Sequence, residues 1–144
     1  MGKRGGSIRL QKGSGKVSQP SEAAIERQKY LEEMAPLLSK KVELPVETGN
    51  IKVGFTSKGN KHLYSDTFRR AKELNKDDLK NIDIALQNST YIKSAPINKP
   101  RKDMITKFHY FKDQQKELYY NVAEVVEKGS VSRFLYAITG KLKK

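Results

Sequence analysis

Three runs late in the chain, Thr106–Lys112 (TKFHYFK), Leu118–Val126 (LYYNVAEVV) and Ser132–Ile138 (SRFLYAI), carry apolar and β-branched side chains at strand spacing. Asp113–Lys116 and Lys128-Gly129-Ser130 separate them at hairpin distances. A shorter run, Thr90–Lys93, precedes them, and Ser94–Asp103 (SAPINKPRKD) reads as a basic loop broken by Pro96 and Pro100. Upstream the period is helical. Asn75 is placed to cap a helix with Asp77 and Asp78 in its first turn and Leu79, Ile82 and Leu86 as its buried stripe, ending at Asn88-Ser89. Helices followed by an antiparallel meander predict an α+β fold, with N-terminal helices packed on a four- to five-stranded antiparallel sheet. No internal repeat is visible.

Working toward the N-terminus, Ile51–Phe55 reads as a strand and Lys58-Gly59-Asn60 as a turn, followed by a helix from about Lys61 or Leu63 to Leu74. Lys41–Asn50, with Pro45 and Gly49, reads as a connector. Ser21 is placed to cap an amphipathic linker helix carrying Tyr30, Leu31, Met34, Leu37 and Leu38, which Pro36 should break near Ala35. Residues 1–20, rich in Gly, Ser, Lys and Arg, are expected to form a flexible basic tail. The expected organisation is tail 1–20, linker helix and connector 21–50, and a functional domain 51–144.

The formal net charge is +13. Residues 51–144 alone hold twenty basic and ten acidic side chains, so the excess travels with the expected folded domain. Such a balance favours a polyanionic partner, because neutralised phosphates release their counterions. The absence of cysteine excludes a disulfide framework or thiolate metal site, and two histidines in separate segments argue against a zinc centre. No run approaches the roughly 20 apolar residues of a membrane span. Nor does an apolar signal core follow the basic start of the chain, so any export is expected to take another route.

His62 stands in Gly59–Asp66 (GNKHLYSD), beside Lys61, with hydroxyls at Tyr64 and Ser65. Imidazole can take and give a proton near neutrality, so His62 is either an acid–base group or an ordinary surface or capping histidine. A metal-independent ribonuclease needs a base for the 2′-hydroxyl, an acid for the 5′-oxygen, and cations or donors around the phosphorane oxygens. The side chains expected to supply these on one cleft face are Lys61, His62, Lys107, His109, Tyr136 and Thr139. Lys58, Ser65, Arg101, Lys102 and Arg133 are expected to bind substrate. Strand periodicity puts Lys107, His109 and Phe111 on one face and Phe108, Tyr110 and Lys112 on the other, leaving open which of the two meets the core. No P-loop, zinc signature, nucleophile elbow or paired-carboxylate motif is present.

The segments GFTSKGNKHLYSDTF, KDDLKNID, RKDMITKFHYFK, LYYNVAE and FLYAITGKLKK together resemble nuclease domains of the barnase/EndoU/colicin/RelE-like superfamily found in phage and polymorphic toxins. The resemblance covers about Ile51 to Lys144. It implies helices on an antiparallel sheet, ribonuclease activity often directed at tRNA, and no metal cofactor; attack by the 2′-oxygen in such a reaction would leave a 2′,3′-cyclic phosphate. In that setting the chain is a secreted or phage-delivered toxin acting in the target-cell cytoplasm, as a monomer or bound to a cognate immunity protein. By position the resemblance maps onto Lys61, His62, Lys107, Tyr136 and Thr139, while His109 stands where such sequences often carry an aromatic. The alternative from another class is a non-catalytic nucleic-acid-binding module or a phage head-associated structural domain.

Overall fold

A computed structural model of the chain describes residues 21–69, 71, 74–99 and 101–140, so the basic tail expected over residues 1–20 lies outside the described residues. Helix α1 (Glu22–Met34) begins where the Ser21 hydroxyl accepts the Ala24 N–H at 3.1 Å. It ends at Pro36, whose ring cannot continue an α-helix, and the chain runs on as a 3₁₀ turn, Ala35–Ser39, that buries Leu37 and leaves Leu38 exposed. The expected connector is instead partly a strand. β1 (Val42–Val46) pairs antiparallel with β2 (Gly49–Val53), burying Val42 and Leu44 on alternate positions. Pro45 is tolerated because, among the described residues, β1 pairs with β2 alone and no further strand needs its missing N–H.

Helix α2 spans Ser57–Arg69, so Lys58-Gly59-Asn60 form its first turn and not the turn before it. The Gly59 N–H is accepted by Thr56 Oγ1 at 2.9 Å, which closes the helix start. Gly59 is required by packing: a Cβ there would lie 2.7 Å from the Leu135 carbonyl oxygen. Asn75 caps as expected, accepting the Asp77 N–H at 2.9 Å, but the segment opens as a 3₁₀ helix (Lys76–Asn81) before α3 (Ile82–Gln87). Leu79, Ile82 and Leu86 are all fully buried.

Strands β3 (Thr90–Pro96), β4 (Ile105–Lys112), β5 (Tyr119–Glu127) and β6 (Ser130–Thr139) form an antiparallel sheet in that order. Lys128 and Gly129 turn the β5–β6 hairpin with φ of 52° and 82°, the left-handed pair that matches strand twist. At the free side of β6, the Gly54 N–H donates to the Arg133 carbonyl at 2.9 Å and the Leu135 N–H to the Gly54 carbonyl at 3.1 Å. The sheet thus has four strands, with the end of β2 adding a single parallel bridge.

Residues paired across strands share a face. Phe111, Tyr120, Val122, Leu135 and Ile138 meet Leu63, Tyr64, Leu79, Ile82 and Leu86 in the main core. Each such aliphatic side chain contributes roughly 1.5–3 kcal/mol by burial. Met34, Leu37, Val42 and Leu44 join the same core, so the segment read as linker and connector helps to build it. The opposite face carries a smaller cluster of Ile105, Phe108, Tyr110 and Ala123, with Phe134 and Tyr136 packed against it. β6 shifts register between its pairings Asn121↔Ala137 and Val122↔Leu135, leaving Tyr136 as the extra residue of a β-bulge.

Candidate active site

The two histidines lie in different places. His62, in the second turn of α2, is about one-third exposed, and its Nδ1 lies 3.2 Å from Oδ2 of Asp66, one helical turn on. Asp66 is almost fully buried, and the same Oδ2 accepts the Ile138 N–H at 2.8 Å. With the carboxylate ionised and the ring neutral, the Nδ1–H donates to Asp66 and Nε2 carries the acceptor lone pair of the ring. The imidazole is further held against the Tyr136 ring, with centroids 4.8 Å apart.

Tyr136 reaches α2 because of the bulge, which turns its ring to the side of Phe108 and Phe134. Its hydroxyl accepts from Arg101 Nη2 at 3.2 Å, which leaves the phenolic proton free to donate. Arg101 is itself fixed by a two-pronged pair with Asp103, at 3.0 and 2.8 Å, and its guanidinium lies over the rings of Phe108 and Tyr136. The hydrogen bond to Asp103 chiefly pushes the Arg101 pKa up. Burial works against the Asp103 charge, but the bonds from Arg101 and the Ile105 N–H outweigh it and hold that carboxyl below its usual range.

Between α2 and the sheet lies a cleft of about 330 Å³, with Lys58, Gly59 and His62 on the helix side. Ile105, Phe134 and Tyr136 form its sheet wall, and Thr56 and Asp103 complete its lining. A shallower recess of about 460 Å³, lined by Lys58, Arg101, Lys102 and Asp103, adjoins it through Lys58 and Asp103. An imidazole, a phenol hydroxyl and clustered cations therefore line two recesses that share Lys58 and Asp103.

The expected single cleft is divided. Lys58, His62, Arg101, Lys102 and Tyr136 come together; Lys107, His109 and Arg133 do not join them. Pairing of Lys107 with Glu124 and of Glu124 with Arg133 sets these side chains on the main-core face, opposite Tyr136. His109 is buried in the same row, between Ser94 Oγ at 2.6 Å and Glu124 Oε1 at 2.9 Å. Arg133 Nε donates to the same Glu124 oxygen at 2.8 Å. Burial opposes the Glu124 charge, yet the hydrogen bonds from His109 and Arg133 prevail and lower its pKa.

Lys61 turns away from His62 and lines a groove with Gln28, Leu31 and Glu32 of α1. The Ser65 hydroxyl donates to the Lys61 carbonyl at 3.2 Å. Thr139 pairs with Tyr119 at the end of β6, beyond the point that Asp66 grips. Asp66, Asp103 and Phe134 escaped the sequence reading. Asp66 had a signal, the helical i, i+4 spacing from His62, whereas Asp103 was masked by the basic loop around it.

Among the described residues no group of three or more His, Cys, Asp or Glu side chains is gathered to hold a metal ion, and no helix is long and apolar enough to cross a membrane. The chain matches no family model, and no curated protein or solved structure matches it.

Proposed function

We propose that the chain is a metal-independent endoribonuclease of the toxin type, working at the His62–Tyr136 cleft. The observation that carries this reading is the His62 imidazole, oriented by buried Asp66 and set at a cleft beside a tyrosine hydroxyl and an arginine. In this mechanism His62 Nε2 takes the 2′-hydroxyl proton. The 2′-oxygen bonds to phosphorus, the P–O5′ bond breaks, and a 2′,3′-cyclic phosphate remains. The departing 5′-oxygen takes a proton from the Tyr136 hydroxyl, which is later restored from solvent. Arg101 and Lys58 stabilise the charge that gathers on the non-bridging oxygens.

Lys107, His109 and Arg133, on the other face, support the sheet in this reading and take no part in the proton transfers. The proposed substrate is RNA, with tRNA as the target class, and the proposed setting is a secreted or phage-delivered toxin with a small acidic immunity protein as partner. Binding of that protein over the basic recess would weaken with salt.

The test is incubation of purified protein with total RNA in EDTA. Discrete tRNA-sized fragments ending in cyclic phosphate, lost in His62→Ala, are expected. Intact RNA at concentrations that bind it would leave the second reading, a non-catalytic binder, for which the cations of the recess suffice.

A further inference from the structure

Resting on the reading of Lys58 and Arg101 as phosphate-binding groups, we infer that Asp103 is a built-in competitor of the substrate phosphate. Its carboxylate holds the edge of the Arg101 guanidinium that an incoming anion would take, so Arg101 becomes available only when Asp103 lets go. Small free phosphates are held off, and a phosphodiester chain, which meets Lys58 and Lys102 as well, overcomes the competition.

The geometry is that of an anion site occupied by the chain itself. A guanidinium presents its Nε and Nη2 groups side by side, a fork that fits either a carboxylate or a phosphate. Here Asp103 fills that fork, with Oδ1 on Nε at 3.0 Å and Oδ2 on Nη2 at 2.8 Å. It is the one carboxylate in a recess otherwise lined by Lys58, Arg101 and Lys102. Burial works against its charge, but Arg101, the Ile105 N–H and Lys58 outweigh it, so at neutral pH it stands as the anion of the site.

The grip is open to exchange. The side chains of Arg101 and Asp103 remain 33% and 25% exposed, and an ion pair so open to water is weak enough to be displaced. The turn that delivers Asp103 is also strained. The Met104 N–H donates to the Arg101 carbonyl at 3.1 Å, and Met104 takes a left-handed φ of 64°, uncommon for a residue with a Cβ. Its side chain is 46% exposed, so burial of that side chain does not account for the posture. Asp103 fastens the turn on both sides, to Arg101 and, through Oδ1, to the Ile105 N–H at 3.3 Å.

The experiment measures affinity for inorganic phosphate and for a short 2′-fluoro oligonucleotide, which lacks the nucleophilic hydroxyl, on the wild-type chain, Asp103→Asn and Glu117→Gln. Asparagine can still accept the Ile105 N–H but carries no charge to hold Arg101. Glu117, exposed beyond the other end of β4, loses the same charge without lining the recess. Asp103→Asn is expected to bind both ligands about three- to tenfold more tightly, by a similar factor because the same contact no longer has to be broken. Glu117→Gln should change either affinity by less than about 1.5-fold. On the wild-type chain, saturating phosphate should shift the NMR signals of the Arg101 Nε–H and the Asp103 carboxyl carbon together, a reading that needs no variant.

Unchanged or weaker binding by folded Asp103→Asn, an equal gain in Glu117→Gln, or phosphate binding that leaves both signals in place overturns the inference. The nuclease reading fails separately: tighter binding by Asp103→Asn with total RNA left intact in EDTA keeps the competitor and removes the catalyst. RNA cleavage by the wild type, with Asp103→Asn binding phosphate no better, does the reverse.

Discussion

Asp66 binds two elements through one oxygen: its Oδ2 takes the His62 ring at 3.2 Å and the Ile138 backbone N–H at 2.8 Å. The orientation of the imidazole is therefore tied to the end of β6. Asp66→Asn can put its amide oxygen where Oδ2 stands and so keep both the Ile138 N–H and the Nδ1–H, but it removes the negative charge that would stabilise the imidazolium formed when the ring takes a proton. RNA cleavage is expected to fall by about 10²–10⁴-fold with the melting temperature nearly unchanged. Asp66→Ala, which strands the buried N–H, should also cost about 1–3 kcal/mol of stability, measured by urea unfolding.

His62→Ala should abolish cleavage and leave both cooperative unfolding and RNA affinity close to wild type, since the ring is partly exposed and its loss uncovers little. A broad, non-cooperative melt in this variant would make His62 a structural residue.

Tyr136→Phe keeps the ring that stacks on His62 but removes the hydroxyl that accepts from Arg101. Turnover is expected to drop by about 10²-fold or more while KM changes less than threefold or so, because in the proposed mechanism its proton is needed only as the bond breaks. A change confined to KM would assign the hydroxyl to binding.

Gly59→Ala brings a methyl to 2.7 Å from the Leu135 carbonyl oxygen, a backbone atom that cannot swing aside. Helix α2 must then move away from β6, at a cost of about 1–3 kcal/mol by thermal or urea unfolding. Activity should fall further than the loss of folded protein explains, since His62 moves with the helix. A stabilised variant would contradict the close approach of helix and strand.

Glu124 governs an acid-sensitive part of the stability. Its folded pKa is lowered, so its contribution is present above the ordinary glutamate range and is lost as the pH falls through the folded value. Glu124→Gln should be less stable than wild type at neutral pH by about 1.5–3 kcal/mol, with the gap closing as the solution is acidified. A gap that widens in acid would reverse the sign of this linkage. Cleavage measured at neutral pH on the folded fraction should be nearly unaffected, because Glu124 lies on the face away from Tyr136.

The helix caps at Ser21 and Asn75, the break at Pro36, and the three long strands were all legible in the sequence, because local chemistry determines them. Gly59 misled for a physical reason: glycine between Lys58 and Asn60 looks like a turn, but here it serves a contact with Leu135, seventy-six positions away. Pro45 likewise disguised β1, since proline argues against a strand unless its free edge is known. The period of β4 correctly grouped Lys107 with His109. It was silent on which group would meet His62, because that depends on a bulge in β6 and on α2 lying at the strand's edge. The bond from Arg101 to the Tyr136 hydroxyl, thirty-five positions away, was beyond reach in the same way.

The edge of β6 is covered by Gly54 at Arg133 and Leu135, and by Asp66 at Ile138. An uncovered strand edge invites pairing with another chain, so the carboxylate that steers His62 also guards against self-association. In the proposed mechanism, chemistry and colloidal behaviour then share one side chain. In a crowded cell, variants at Asp66 that reopen this edge should be removed by quality control before any loss of turnover is noticed.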